Sequence, residues 1–309
     1  MNGRGDVVAV GEVLWDIFGE DRHLGGAPFN FAVHCHHLGA TSAIVSRVGD
    51  DDLGEEILAR ARALGIDAEL IQVDPEHPTG QVQVTLDDEG VPTFNICTGV
   101  AYDFIETEPA ALDRLAETDI VCFGTLAQRE AVSRQSIADL LEAASAALIV
   151  CDLNLRPPHY SERTVRRSLE YADVLKLNDD ELRICKWMHD REEEEDRAFL
   201  RFLLQTYGME LICVTLGPRG CVLCTADEWA ASPGYQVEVE DTVGSGDAFT
   251  AGLVMKYLAD WPLREVANYA NLVGAYVATQ PGATPPITEE DLEVLADRAE
   301  RIGGTLQEG

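Results

Sequence analysis

Basic residues are scarce in this sequence. It has 23 Lys and Arg residues, of which three are lysines (Lys176, Lys186 and Lys256), against 55 Asp and Glu residues, so the formal net charge is −32. Nucleic acid or an anionic membrane would be repelled over most of such a surface. We therefore expect no nucleic-acid or membrane partner, and we expect an anionic ligand to need a local positive site.

Long apolar runs and paired cysteines are also missing. No stretch approaches the length of a membrane span, and the N-terminus leads directly into a strand-like segment without a signal peptide. The eight cysteines are scattered, and three of them, Cys122, Cys151 and Cys213, lie in apolar runs where a free thiol packs as a small hydrophobe. These absences predict a cytoplasmic protein without disulfides.

Two short motifs have the spacing of metal ligands but lack the remaining ligands. His34 and His37 are one helical turn apart, and Cys221 and Cys224 are separated by two residues. Neither pair is followed by a carboxylate or a second cysteine pair at ligand spacing. The sequence therefore does not favour a metal or redox site at either place.

The second half of the chain alternates apolar strands with helical stretches. Strands are predicted at 120–123, 147–152, 173–177 and 210–215, and the apolar run from Val7 to Trp15 predicts a buried first strand. This alternation is typical of an α/β fold with a doubly wound, mostly parallel sheet. We predict a single α/β domain over residues 1–309.

A hairpin pattern interrupts this alternation. Apolar residues alternate from Gln81 to Ile96 and the pattern breaks at 87–90, which predicts two antiparallel strands. Such a hairpin has little to pair with in a parallel sheet, so we predict a small β lid formed by segments near 17–24 and 81–104. Its free edges, with Val82, Val84 and Leu86 as a candidate apolar face, predict a homodimer formed through the lid.

The stretch Asp241–Phe249 combines an anion cradle with a carboxylate. A helix pattern begins after Asp247, so Gly244 and Gly246 lie at a helix N-terminus, where unpaired N–H groups and the macrodipole favour phosphate. A carboxylate in this position repels the anion unless it takes a proton from the attacking group. The alternative is that Asp247 caps the helix and the glycines form the turn.

Polar side chains follow the first predicted strand. The strand delivers Asp16 to a sheet edge, and the segment Gly25–Asn30 opens a helix that carries the amide of Asn30. Short acceptors and donors of this kind pair with adjacent hydroxyl groups of a neutral polyol. A turn followed by a helix cap is the structural alternative.

Later strand ends carry further candidates. Arg156 follows the strand 147–152 and has the planar guanidinium that pairs with phosphate, and Asn178 with Glu181 follows the next strand, where a capping box is the alternative. The Gly-rich turn from Thr215 to Gly220 offers a flat surface for a purine or ribose. Asn271 and the carbonyls near Gly282 suit a nucleotide pocket or a monovalent cation.

Taken together, these motifs resemble the ribokinase or PfkB family of sugar kinases, and the resemblance spans essentially the whole chain. The matching motifs are the Gly-Gly entry of Gly25–Asn30, the Asn-x-x-Glu of Asn178–Glu181 and the Asp-Thr-x-Gly-x-Gly-Asp of Asp241–Asp247. The segments 11–16 and 152–158 are similar to bacterial fructokinases. Ser245 departs from the family, in which alanine is usual, but a serine leaves the backbone cradle intact.

The resemblance implies a role for each motif. Asp247 would be the base, with the amides of Gly244, Ser245 and Gly246 as the anion hole. The sugar would be held by Asp16, Gly25, Gly26, Asn30 and Arg156. ATP would be contacted by Asn178, Thr215, Gly217, Gly220 and Asn271. Mg²⁺ would be ordered through water by Glu181, and K⁺ would be held by Asp241 and by carbonyls near Val243 and Gly282.

The implied activity is transfer of the γ-phosphoryl group of ATP to fructose, giving fructose 6-phosphate. Kinases for 2-keto-3-deoxygluconate, ribose or a nucleoside are alternatives within the same class. A sugar acid would require a cation in the sugar pocket, for which Arg156 is the candidate. A different class, a non-catalytic sugar or nucleotide sensor, is disfavoured by Asp247, because binding alone needs no base beside the phosphate.

Overall fold

The computed structural model describes residues 5–19, 21–86 and 92–302. The chain divides into two compact units, residues 1–147 and residues 148–309. The chain has a mixed α/β fold in which helices flank mostly parallel strands, so the α/β fold predicted from the sequence is confirmed. Among the described residues, no helix combines the length and the apolar character that crossing a bilayer requires. All eight cysteines are free.

The first unit carries two sheets. Its elements are β1 (Asp6–Val10), β2 (Leu14–Phe18), β3 (Asp21–Gly25), α1 (Ala27–His37), β4 (Thr41–Gly49), α2 (Asp52–Ala63), β5 (Ile71–Asp74), β6 (Gln81–Leu86), β7 (Pro92–Ile96), α3 (Pro109–Ala116), β8 (Ile120–Phe123) and α4 (Ala131–Ala143). The strands β8, β1, β4 and β5 pair in parallel in that order. The strands β3, β2, β6 and β7 form a separate four-stranded sheet, the lid sheet.

The predicted first strand from Val7 to Trp15 is wrong as a single element. The strand β1 ends at Val10, and Gly11 takes a φ of +148° that turns the chain toward β2 in the lid sheet. The burial pattern explains the error, because Val13 and Trp15 are as fully buried as β1 itself. An apolar run therefore does not mark the change of sheet, and Asp16 belongs to the lid sheet.

The segments predicted to form a lid contribute strands to the separate lid sheet, and its role as a cover over a site stays a prediction. The predicted hairpin is present as β6 and β7, and β2 pairs in parallel with β6 and antiparallel with β3. The predicted lid segment 81–104 includes no strand after Ile96, because the chain forms a 3₁₀ turn at Ala101–Phe104. Val82 is buried within the chain and so is not part of an exposed apolar face. The side chains of Val84 and Leu86 and residues 87–91 lie outside the described part of the structure, and homodimerisation through the lid stays a prediction.

The second unit contains one sheet whose parallel strands match the predicted positions to within one residue. Its elements are β9 (Leu148–Asp152), α5 (Glu162–Tyr171), β10 (Val174–Asn178), α6 (Asp179–Met188), α7 (Asp196–Tyr207), β11 (Leu211–Thr215), β12 (Cys221–Cys224), β13 (Trp229–Ser232), α8 (Ser245–Tyr257), α9 (Leu263–Ala278) and α10 (Glu289–Arg298). The strands β9, β10 and β11 are parallel, and β12 and β13 continue the sheet antiparallel.

A buried ion pair fixes the segment that follows the lid strand β7. Arg129 donates to both carboxylate oxygens of Asp103 at 2.7 and 2.9 Å and to the carbonyl of Cys97 at 2.6 Å. The Asp103 carboxylate also accepts from the backbone N–H groups of Gly99 and Val100. The two charged side chains are 0% and 6% exposed, so each depends on the other for charge compensation.

We expect Asp103→Asn to destabilise the protein strongly, because it leaves the Arg129 guanidinium buried without a counter-ion. Removing one partner of a buried ion pair typically costs about 3–5 kcal/mol. The matched control is Glu162→Gln, which breaks the exposed pair between Glu162 and Arg166 and should cost less than about 1 kcal/mol. Urea unfolding of both variants measures the difference, and an equal effect of the two substitutions would contradict the role given to the buried pair.

Candidate active site

The turn at which the helix α8 begins has one position, Gly244, with no room for a side chain. Its N-cap residue, Gly244, is in the left-handed conformation with φ of 76°. A Cβ atom at this position would lie 2.1 Å from the carbonyl oxygen of Ala283, which is far inside van der Waals contact. Glycine is therefore required at Gly244 by both its conformation and its surroundings.

The backbone N–H groups at this helix start are arranged to receive an anion. The first helical hydrogen bond runs from Ala248 N to the carbonyl of Gly244 at 2.9 Å, so the Gly246 N–H precedes the helical ladder. The Ser245 N–H makes a long turn bond of 3.3 Å to Thr242, and the Ser245 hydroxyl donates to the carbonyl of Gly274 in α9. The half-buried Asp247 occupies the first turn of α8.

A buried lysine lies behind this turn. Lys176, in β10, donates from Nζ to both carboxylate oxygens of Asp152 at 3.0 and 3.1 Å. A Cβ atom built on Gly246 would lie 3.4 Å from the same Nζ. Thr250, one turn further along α8, bonds through its hydroxyl to Asp152 Oδ2 at 2.9 Å. The ammonium group of Lys176 thus lies directly beneath the anion cradle.

The charge state of Lys176 follows from its neighbours. Burial acts to lower the pKa of this lysine, but the carboxylates of Asp152, Glu181 and Asp247 together outweigh burial and raise the pKa above its usual value. The side chain is therefore a permanent cation in the middle of three acids. The sequence motifs do not single out this residue, although a lysine inside the otherwise apolar strand 174–177 is a visible signal.

The predicted Asn178 and Glu181 form a complete capping box at the start of α6. The Glu181 N–H donates to Asn178 Oδ1 and the Asn178 N–H donates to Glu181 Oε2, each at 2.8 Å. Glu181 Oε1 accepts from the N–H of Leu155 at 2.8 Å. Burial raises the pKa of the Glu181 carboxyl, while the Lys176 charge and these N–H groups oppose the rise. The capping box that was the structural alternative for Asn178 and Glu181 is therefore present. It also holds the Glu181 carboxylate close enough to Lys176 to influence its charge.

The predicted nucleotide residues are divided between a turn and a helix. Gly217 and Gly220 lie in the turn between β11 and β12 and have positive φ values, and a Cβ atom on Gly220 would lie 2.0 Å from the Ser232 carbonyl oxygen. Thr215 ends β11, and its hydroxyl donates to the Leu177 carbonyl at 3.4 Å. Asn271 is buried on α9, and its Nδ2 donates to the carbonyl and hydroxyl of Ser232. The Asn271 amide therefore supports the chain beside this turn.

Asp241 joins two loops that the sequence places far apart. Its Oδ1 accepts from the Val243 N–H at 3.0 Å, and its Oδ2 accepts from the Gly282 N–H at 3.2 Å. The structure therefore brings together the three residues predicted for a monovalent cation. Arg156, by contrast, is exposed after β9, and the described residues show no ion pair for it.

Four of the five residues predicted to hold the sugar lie close together in the first unit, whereas Arg156 belongs to the second unit. Gly26, the N-cap of α1, has φ of 111°, and a Cβ atom there would lie 2.5 Å from the Glu12 carbonyl oxygen. A Cβ atom on Gly25 would lie 2.8 Å from Asp16 Oδ2, so the carboxylate rests against bare backbone. Asn30 follows in the first turn of α1, with its N–H bonded to the Gly26 carbonyl. Asp16, Gly25, Gly26 and Asn30 thus surround one glycine corner.

These features can support two kinds of chemistry. The cradle at α8, with the Lys176 ammonium behind it, can stabilise the negative charge of a phosphoryl group, and Asp247 can accept a proton beside it. The glycine corner in the first unit can pair with hydroxyl groups. Among the described residues, no group of three or more His, Cys, Asp or Glu side chains is arranged to hold a metal ion by itself.

Comparison with known proteins agrees with this chemistry. Residues 11–290 match the sequence profile described as pfkB family carbohydrate kinase. The chain is 31% identical to fructokinase-2 of Oryza sativa subsp. japonica over 278 residues, which cover 85% of this chain and 81% of the relative. It is 28% identical to a putative sugar kinase of Pyrococcus horikoshii over 308 residues, which cover 93% of this chain and 94% of the relative.

Solved structures extend the comparison to the fold. The Pyrococcus horikoshii sugar kinase in complex with ATP has a TM-score of 0.79 at 27% identity, covering 92% of this chain and 96% of that chain. A fructokinase from Xylella fastidiosa with bound ATP has a TM-score of 0.83 at 21% identity, covering 95% and 98%. The latter likeness shows a shared ribokinase-like fold. Since the family profile spans most of the sequence, the chain belongs to the pfkB family of carbohydrate kinases.

Proposed function

We propose that this sugar kinase is an ATP-dependent fructokinase that forms fructose 6-phosphate. The observation that carries the proposal is the position of Asp247 in the first turn of α8, next to the anion cradle at Gly244–Gly246. A carboxylate that merely capped the helix would weaken phosphate binding at the same turn. A carboxylate that accepts the proton of the attacking hydroxyl promotes phosphoryl transfer, which explains its place beside a phosphate site.

The proposed reaction is an in-line transfer. Asp247 takes the proton of the sugar hydroxyl, whose oxygen forms a bond to the γ-phosphorus as the bond from that phosphorus to the bridging oxygen of ADP breaks. Negative charge on the transferring group is stabilised by the N–H of Gly246, with the amides of Gly244 and Ser245 completing the turn. The glycine corner in the first unit, formed by Asp16, Gly25, Gly26 and Asn30, is proposed to hold the sugar hydroxyls.

The nucleotide and its metal ion are assigned to the second unit. We assign ATP to Asn178, Thr215, Gly217, Gly220 and Asn271, and we keep the exposed Arg156 as a proposed sugar-binding residue. Both Glu181 oxygens already accept backbone N–H groups, so this carboxylate fits Mg²⁺ through ordered waters, which is the usual mode for this ion. When bound, the ion neutralises charge on the phosphates of ATP.

A monovalent cation, K⁺, is proposed at the loops joined by Asp241. The carboxylate bonds to the N–H groups of Val243 and Gly282, which holds both loops in place and lets nearby carbonyls face an ion. Rings of carbonyl oxygens can replace the hydration shell of K⁺. The loop at Val243 leads directly into Gly244, so the cation would order the start of the cradle.

Charge pairing supports a neutral sugar over a sugar acid. In the first unit, Arg129 is paired with Asp103, Arg47 is paired with Asp74, and Arg22 is paired with Glu56. A carboxylated sugar bound at the glycine corner would need a counter-ion that these pairs do not provide. The names of the relatives point the same way, since several plant relatives at about 30% identity are called fructokinases.

A panel of acceptors in a coupled ADP-release assay tests the proposal. We expect fructose to give a kcat/KM about 100-fold above that of 2-keto-3-deoxygluconate, because an uncompensated carboxylate costs about 3 kcal/mol or more. Ribose and a nucleoside complete the panel. Turnover of 2-keto-3-deoxygluconate without turnover of fructose would show that the substrate is the sugar acid and not fructose. No ATP consumption with any acceptor, while sugars still raise the melting temperature, would indicate a sensor.

The cation proposal predicts that activity depends on K⁺. At constant ionic strength, we expect kcat to be higher in KCl than in NaCl, because K⁺ orders the loops that lead into Gly244. Asp241→Ala should lower kcat and remove the difference between the two salts. Equal kcat values of the unmodified protein in KCl and NaCl would contradict the proposed K⁺ site. A general effect of salt would change kcat in KCl and in NaCl by the same amount.

A further inference from the structure

We propose that Asp152, Lys176 and Thr250 form a positioning network that holds the first turn of α8, and with it the Gly246 N–H, in the orientation needed for phosphoryl transfer. The inference rests on the proposed function of this turn. It adds Asp152 and Thr250, which have been given no role in the reaction above, and gives Lys176 a positioning role beside its charge. The three residues come from β9, β10 and α8, so the network ties the helix start to two neighbouring strand ends.

Thr250 is the link between the helix and the strands. Its hydroxyl lies 2.9 Å from Asp152 Oδ2 and also 2.9 Å from the carbonyl oxygen of Gly246. A hydroxyl has one proton, and a carboxylate is the stronger acceptor, so the proton goes to Asp152. The side chain is fully buried, and water therefore does not compete for this bond. The result is a fixed connection from the turn containing Gly246 to the end of β9.

Lys176 keeps the acceptor of that bond in place. Nζ contacts both oxygens of Asp152, which leaves the carboxylate little freedom to rotate. The Asp152 and Lys176 residues are 6% and 8% exposed, so neither charge is compensated by solvent. Without the ammonium, Asp152 would be an unpaired buried anion close to the phosphate site, and the cradle would lose its positive charge.

The same ammonium also constrains Gly246 directly. A Cβ atom built on Gly246 would be 3.4 Å from Nζ, so the space between the glycine backbone and the lysine head group has room for little more than a methyl group. A cation in this position favours an anion on the other side of the turn. In a protein with a net charge of −32, this fixed cation offsets the repulsion that ATP otherwise meets.

Stability alone does not account for this arrangement. A buried ion pair is often no more stabilising than an apolar pair of similar volume, and β9 and β10 are otherwise apolar apart from Asn178 at the end of β10. The polar groups occur at the one place where the strand ends meet the start of α8. A positioning role therefore predicts losses of turnover that exceed the losses of stability.

The main test is Thr250→Val, which keeps the shape of the side chain and removes the hydroxyl. We expect kcat to fall about 10- to 100-fold, since misplacement of a reacting group by about 1 Å has effects of this size. The KM for the sugar should stay within about twofold because its proposed site is elsewhere. Thr250→Ser keeps the hydroxyl and should restore most of kcat. A Thr250→Val enzyme with kcat within about twofold of the unmodified protein would overturn the proposal.

The control for a purely structural effect is Thr118→Val. This threonine is also buried, and its hydroxyl donates to the carbonyl of Asp6 at 2.9 Å, away from the proposed reaction. We expect Thr118→Val to lower the melting temperature by an amount similar to Thr250→Val but to leave kcat unchanged. Equal losses of kcat in the two variants would also overturn the proposal.

A double substitution, Asp152→Asn with Lys176→Met, removes both charges without leaving either unpaired. We expect a folded protein with a near-normal melting temperature and at least about a 10-fold loss of kcat. Near-normal kcat in this variant would show that the pair has a structural role alone. The proposed function is judged separately, because its failure would appear as an inactive unmodified protein, whereas failure of this inference leaves that protein active.

Discussion

The phosphate site depends on the close approach of two pieces of backbone at the start of α8. The Gly244 Cα lies so near the Ala283 carbonyl that no side chain fits, and its left-handed conformation directs the following N–H groups to the open end of the helix. Asp247, Ser245 and the loop at Asp241 take their positions from this turn. A bulkier residue at Gly244 would displace all of them together.

Charge placement completes the site. The surface carries far more acids than bases, yet the region behind the cradle holds a permanent cation, because three carboxylates keep Lys176 protonated despite its burial. The Glu181 carboxylate, held by two backbone N–H groups, is available to order water around a metal ion. The proposed binding of a polyanion would therefore depend on this local arrangement rather than on the net charge.

The features that could be predicted from the sequence are those determined by apolar periodicity and by short motifs. The strands β8 to β11, the start of α8 and the lid hairpin were predicted near their observed positions, because apolar patterning and glycine placement act over a few residues. The division of Val7–Trp15 between two sheets was missed, since both halves are buried and only the φ of Gly11 separates them. The partnership of Lys176 with Asp152 was also missed, because it depends on strand register, which joins residues distant in sequence.

The central claim is that Asp247 is the general base, and Asp247→Asn tests it most directly. Asparagine keeps the size of the side chain, and Asp247 lies in the first turn of α8 rather than at its N-cap, so the melting temperature and the affinity for ATP should hold. Loss of general-base catalysis should lower kcat by about 10²–10⁴-fold. Kinetics, nucleotide binding and thermal unfolding of this one variant therefore separate the two roles. A kcat close to that of the unmodified protein, with or without a loss of stability, would contradict the account.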